Sequence, residues 1–125
     1  MRIPGLYIAE TPEKGRGVFT EHAIAAETVI EVAPVIVMTP ADRILLDQTL
    51  LHDYIFEWEG GRCAMALGWV PVYNHAQPSN AEYFMQFDEG TMFIKTARDI
   101  AAGEEITLNY NGDWNDDRDV WFDVR

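Results

Sequence analysis

The chain has 125 residues, 48% of them hydrophobic, and this length and composition predict one packed domain rather than a disordered chain. A single cysteine, Cys63, excludes an internal disulfide and a multi-cysteine zinc site. Nine Lys and Arg against 21 Asp and Glu give a formal net charge of −12, which argues against nucleic acid or an anionic membrane as a partner. The same charge would attract a cationic partner, although it also serves solubility alone.

The first residues carry no recognisable export signal. Residues 1–6 contain no long apolar stretch, and no later window approaches the roughly 18 apolar residues of a membrane span. The sequence therefore predicts a soluble, intracellular protein of the cytoplasm, with the nucleus left open in a eukaryotic host.

The first half of the chain predicts short strands followed by one helix. Residues 6–9 and 17–20 are strand-like runs separated by turn-forming residues, and residues 27–38 are rich in β-branched side chains. Pro34 interrupts that last run and predicts an edge or a bend. Residues 40–51 have apolar side chains at helical spacing, and Thr39 or Pro40 is a suitable start.

The second half predicts hairpins. Strand periodicity is found in residues 54–58, 63–67, 81–87, 91–96 and 106–110, and the apolar run 70–73 is also strand-like. Glycine-containing turns separate several of these runs. The predicted fold class is therefore mostly β, with many short strands and one short helix.

The glycine pair at Gly15-Arg16-Gly17 is a candidate for close approach of the backbone to a ligand. It is not a dinucleotide-binding fingerprint, because the third glycine is missing and a strand follows instead of a helix. An ordinary β-turn explains the two glycines equally simply.

The segment from Asn74 to Asn80 is dense in turn-formers and hydrogen-bonding side chains, yet it lies between apolar, strand-like runs. Asn74 could form a local side-chain turn, and His75 could be a structural histidine. The three histidines and Cys63 show no metal-type spacing, so no metal site is predicted.

Tyr110 ends the turn and strand that begin at Gly103-Glu104-Glu105. A strand tyrosine often packs its ring in the core and leaves its hydroxyl at the rim, and this explanation stays open. A tyrosine delivered by a rigid strand is also well placed for chemistry at the sheet edge.

These three segments, in this order and spacing, resemble the SET-domain protein lysine methyltransferases, from about Arg16 to Tyr110. The chain is most similar to the small viral and bacterial members. The resemblance implies a β-clip-like fold of several short sheets with a C-terminal pseudoknot. It also implies residues 1–110 as the SET domain and residues 111–125 as an acidic, aromatic tail that completes or covers the site.

The resemblance assigns roles to individual residues. It implies S-adenosyl-L-methionine as the cofactor, bound by Lys14, Gly15, Arg16, Gly17, Asn74 and His75. Tyr110 is the implied catalytic residue, which orients the amine of the substrate lysine beside the methyl group. Tyr54, Tyr110 and Trp114 are the expected lining of the lysine channel, although Tyr54 is equally explained as an aromatic residue in an alternating strand.

The resulting functional prediction is a protein-lysine N-methyltransferase acting on a lysine in a basic segment, as in a histone or another basic protein. A homodimer is expected, as in the small viral relatives. The alternative is a non-catalytic module of the same fold that uses its acidic surface to bind basic proteins. An unrelated acidic β domain would require all three motifs to have arisen by chance.

Overall fold

The computed structural model of the protein describes residues 1–110. The tail 111–125, including the predicted channel residue Trp114, lies outside the described residues. The strands are β1 (Leu6–Thr11), β2 (Gly15–Thr20), β3 (Val29–Met38), β4 (Ile55–Glu57), β5 (Cys63–Ala66), β6 (Asn74–His75), β7 (Ala81–Gln86), β8 (Thr91–Thr96) and β9 (Glu105–Leu108). With the α-helix α1 (Pro40–Leu46), they confirm the predicted mostly β fold with one short helix.

Strand β3 links two parts of the sheet. Its first half pairs with β8 as far as Pro34, and its second half pairs with β5 from Val35 onward. The change of partner falls at Pro34. Proline has no N–H to donate to a strand ladder, so a break in the pairing at this residue leaves no backbone donor without a partner. Pro34, where the sequence predicted an edge or a bend, is thus the point where the strand passes from one neighbour to the other.

Helix α1 begins as predicted but ends earlier. Thr39 and Asp42 form a reciprocal capping box, and Pro40 occupies the first turn. The predicted extension to residue 51 is wrong, because the hydroxyl of Thr49 accepts a hydrogen bond from the backbone N–H of Leu51 and starts a separate 3₁₀ turn, Leu50–Tyr54.

Two predicted strand segments differ from the observed structure. Tyr54 is the last residue of that 3₁₀ turn, and the strand begins at Ile55. The run 70–73 is not a strand, since Val70–Val72 forms a 3₁₀ turn with Pro71 in its first positions. Proline fixes φ at a helical value and cannot donate to a strand ladder, so the turn is the better local solution.

The core lies where the inward faces of the central strands meet. In β8 every second residue is buried, which is the period-2 pattern of a strand with one covered face. Fully buried apolar side chains come from several strands: Val18, Ile30, Met92, Ile94, Ile106 and Leu108. Each such side chain contributes roughly 1.5–3 kcal/mol when it leaves water.

Strand β9 brings the distant motifs together. It pairs antiparallel with β2 and in parallel with β6 and β7. The end of the described chain is therefore inserted between its beginning and the segment that starts at Asn74, as expected for the predicted C-terminal pseudoknot. Among residues 1–110, no helix is both long enough and apolar enough to cross a membrane.

Candidate active site

The turn between β1 and β2 is fixed against β6. The hydroxyl of Thr11 accepts from the N–H of Lys14 at 2.8 Å and donates to the carbonyl of Gly15 at 2.9 Å. Gly15 has φ +70°, which glycine adopts without strain. The ammonium of Lys14 donates to the carbonyl of His75 at 2.7 Å, so this lysine ties the turn to the Asn-His motif.

Gly17 lies at a close approach of three elements. A Cβ atom at this position would collide with the carboxylate of Glu105 and with the amide of Asn74. That amide donates to the carbonyl of Arg16 at 3.0 Å and to the carboxylate of Glu105 at 2.8 Å. Of the two glycines, Gly17 packs directly beside Asn74, whereas a Cβ atom on Gly15 would meet no other atom within 4 Å.

The ring of His75 contacts both the ring and the backbone of Tyr110. Its Nδ1 atom accepts the backbone N–H of Tyr110 at 3.0 Å, and the two ring centroids are 5.3 Å apart. Burial lowers the pKa of His75 below its ordinary value, and the positive charge of Lys14 adds to this effect. Because Nδ1 is an acceptor, the neutral ring carries its proton on Nε2.

This arrangement predicts a pH-dependent stability. An unfolded histidine titrates near about 6.5, so the unfolded chain binds more protons than the folded chain once the pH falls below that value. The free energy of unfolding should therefore decline as the pH falls through about 6.5 towards the depressed pKa of folded His75. Urea denaturation at pH 7.5 and 5.5 measures this decline.

The matched control is His75→Gln, whose side-chain oxygen can still accept from Tyr110 but does not titrate. We expect the variant to lose less stability than the wild type between the two pH values. Equal losses in both proteins would show that protonation of His75 does not oppose folding.

Hydrogen bonds to several residues within 1–110 hold Tyr110 in place. Besides its N–H bond to His75, its carbonyl accepts from the hydroxyl of Tyr83 at 3.1 Å, and its own hydroxyl donates to the carbonyl of Tyr73. The sequence placed it at the end of a strand, but β9 ends at Leu108. The strand stops because the N–H of Tyr110 bonds to a side chain instead of a neighbouring strand.

Tyr110 and Tyr54 line one pocket. Its volume is ≈ 260 Å³, which includes the solvent space at its open mouth. The other lining residues are Asp53, Ile55, Phe56, Val70 and Pro71. The structure thus brings together two of the three predicted channel residues, and the third, Trp114, lies outside the described part of the chain.

Several residues of this region were not singled out from the sequence. Glu31 and Tyr73 form a buried pair behind Tyr110, and the side chain of Asn80 bonds to β9. A carboxylate within the β-branched run of β3 was the available signal for Glu31. Among residues 1–110, no cluster of three or more His, Cys, Asp or Glu side chains could hold a metal ion.

Comparison with known proteins agrees with this geometry. The SET domain family model matches residues 15–111. The chain is 33% identical over 128 residues to a histone-lysine N-methyltransferase of Schizosaccharomyces pombe that is specific for H3 lysine 37, covering 98% of this chain and 83% of that protein. A solved Plasmodium falciparum structure, described as a candidate histone methyltransferase, superposes with a TM-score of 0.68 at 22% identity, covering 88% of this chain and 96% of that one. The chain therefore belongs to the SET domain family and is a lysine methyltransferase.

Proposed function

We propose that the protein uses S-adenosyl-L-methionine to methylate the side-chain amine of a lysine in a basic protein segment, such as a histone tail. The observation that carries this proposal is the convergence on β9 of the turn Lys14–Gly17, the pair Asn74-His75 and Tyr110. The pocket lined by Tyr54 and Tyr110 opens beside this point of convergence.

The residues on the cofactor side fit a small zwitterionic ligand. The absence of a side chain at Gly17 leaves room for the amide of Asn74 and the carboxylate of Glu105, two polar groups that lie against this part of β2. Lys14 and Arg16 add positive charge for a carboxylate, and the region around His75 is half-buried. When bound, S-adenosyl-L-methionine supplies an electrophilic methyl group on a sulfonium.

We infer that this pocket receives the stem and the amine of the substrate lysine, because its lining is mostly apolar. The rings of Tyr54, Phe56 and Tyr110 and the side chains of Val70 and Pro71 offer an apolar wall. Exclusion of water by such a wall disfavours the charged ammonium and lowers the pKa of a lysine, which must be neutral to act as a nucleophile. The hydroxyl of Tyr110, fixed by the carbonyl of Tyr73, is positioned to orient that amine.

The charge of the chain supports a basic substrate. A formal net charge of −12 repels nucleic acid and anionic membranes, and it steers a Lys- and Arg-rich segment towards the protein. Asp53 adds a carboxylate to the wall of the pocket itself. We also propose that the protein acts inside the cell, in the cytoplasm or in the nucleus of a eukaryotic host, and a fluorescent fusion in that host tests the location.

The direct test is methyl transfer by the purified full chain. Core histones and a mixture of other basic proteins are incubated with methyl-labelled S-adenosyl-L-methionine, and mass spectrometry locates the modified residue. The KM for the protein substrate should rise with salt, since the Debye length falls from about 10 Å at 0.1 M to about 3 Å at 1 M. Calorimetric binding of basic protein without cofactor binding or transfer would favour the non-catalytic acidic module instead.

We also propose a homodimer. Helix α1 and the 3₁₀ turn after it bury none of their residues and expose four large apolar side chains, Ile44, Leu45, Leu50 and Leu51. Exposed apolar groups close together are common at interfaces between proteins. Light scattering on the wild type and on Leu50→Lys should give a dimer and a monomer respectively, and a monomeric wild type would refute the proposal.

A further inference from the structure

Glu31 is a buried carboxylate in the apolar run of β3. Its exposure is only 1%, and a buried charge is costly unless donors surround it. The register of β3 against β8 shifts between Val29 and Glu31. This bulge turns both Ile30 and Glu31 towards the interior, whereas regular alternation would leave Glu31 on the same face as the exposed Val29.

Glu31 bonds to both ends of the short segment that precedes Asn74. One carboxylate oxygen accepts the hydroxyl of Tyr73 at 2.8 Å, and the other accepts the backbone N–H of Trp69 at 2.8 Å. The guanidinium of Arg2 lies 3.6 Å from the carboxylate and 4.0 Å above the Trp69 ring. The hydroxyl and the N–H donate hydrogen bonds to the carboxylate, and the guanidinium adds a positive charge beside it. These interactions offset the cost of removing the carboxylate from water.

The chain is built closely around this carboxylate. Gly68 has φ +63°, and a Cβ atom there would collide with a carboxylate oxygen of Glu31. A residue larger than glycine would therefore have a strained backbone, and its side chain would collide with the carboxylate. The segment between Gly68 and Tyr73 is thus shaped to pass directly over the carboxylate.

Tyr73 connects this network to Tyr110. Its ring is fully buried, so its hydroxyl bond to Glu31 fixes the whole residue. Its backbone carbonyl accepts the hydroxyl of Tyr110. We propose that Glu31 and the hydroxyl of Tyr73 are positioning residues that hold this carbonyl, and through it the hydroxyl of Tyr110, in the orientation needed for methyl transfer.

The donor role of Tyr73 does not depend on pH in the usual working range. Burial raises the pKa of its hydroxyl far above the ordinary value, and the neighbouring charge of Glu31 adds to the shift. The hydroxyl therefore stays protonated and keeps donating to Glu31 while the acidity of the medium changes.

The experiment compares Tyr73→Phe and Glu31→Gln with the wild type. Tyr73→Phe keeps the ring and removes only the donor, and we expect kcat on core histones to fall about tenfold, less than the roughly 100-fold that a misplacement of 1 Å can cause. The KM for histones and the Kd for S-adenosyl-L-methionine should change by less than about twofold, because neither variant alters the proposed binding residues. If the two residues act as a unit, the kcat of the double variant should be no lower than that of the less active single variant.

Thr96→Val is the matched structural control. Thr96 is fully buried and its hydroxyl makes two hydrogen bonds, to the carbonyl of Ala25 and from the N–H of Thr28. This variant should lose stability to a similar degree as Tyr73→Phe and keep the wild-type kcat. If its kcat fell in parallel with its melting temperature, a positioning role for Glu31 and Tyr73 would be refuted.

A second measurement separates this inference from the proposed function on which it rests. In protein labelled at the tyrosine Cζ carbon, the NMR signal of Tyr110 is assigned with Tyr110→Phe. It should move in Tyr73→Phe and in Glu31→Gln but not in Thr96→Val. An unmoved signal overturns the inference, whereas a wild type that moves no methyl group to any basic protein overturns the proposed function and leaves the NMR result valid.

Discussion

Tyr110→Phe should lower kcat for methyl transfer by about 100-fold or more, because the variant loses the group that orients the amine at the methyl donor. The ring and its contact with His75 remain, and the hydroxyl bond to the carbonyl of Tyr73 is removed. Loss of one such bond costs about 1 kcal/mol of stability, so the protein should stay folded. Steady-state kinetics together with thermal unfolding measures both effects.

The control for this experiment is Tyr7→Phe. Tyr7 lies on β1 and stacks on Phe19 with ring centroids 5.7 Å apart, which makes it a partly exposed tyrosine of the same fold outside the candidate site. The kcat of the Tyr7→Phe variant should equal that of the wild type. A Tyr110→Phe enzyme with unchanged kcat would remove Tyr110 from the proposed mechanism.

Asn80→Ala should destabilise the fold by about 3 kcal/mol and lower the melting temperature by roughly 10 °C. The side chain of Asn80 is 2% exposed and bonds to two backbone groups on one edge of β9: it donates to the carbonyl of Glu105 at 2.8 Å and accepts the N–H of Thr107 at 2.8 Å. Alanine would leave both backbone groups without these partners in the interior, and an unsatisfied buried group costs about 1–3 kcal/mol.

The comparison variant is Gln48→Ala, which truncates an exposed amide and should change stability by less than about 0.5 kcal/mol. Because β9 carries the chain to Tyr110, Asn80→Ala should also reduce activity at temperatures well below its melting point. A melting temperature within a few degrees of the wild type would show that the bonds of Asn80 do not hold the last strand in place.

The sequence determined the local parts of this protein. Alternating apolar residues predicted the hairpin of β7 and β8, and the pair Thr39 and Asp42 around Pro40 agrees with the predicted start of α1. The motifs around Gly15, Asn74 and Tyr110 indicated the family, since each is a short run of turn, amide and aromatic residues whose order can be read directly. Such features depend on neighbours in the chain, so they are visible without the fold.

Only the tertiary structure decided the rest. Residue alternation would place Glu31 on the exposed face of β3, and a bulge in its pairing with β8 turns it inward to Tyr73. The strand predicted to run to Tyr110 ends at Leu108, and the N–H of Tyr110 is bonded instead to His75, a residue far away in sequence. The pocket shared by Tyr54 and Tyr110 likewise exists only after distant segments meet. Bulges, caps from distant side chains and shared cavities are set by the pairing of remote strands, and no local pattern of residues encodes that pairing.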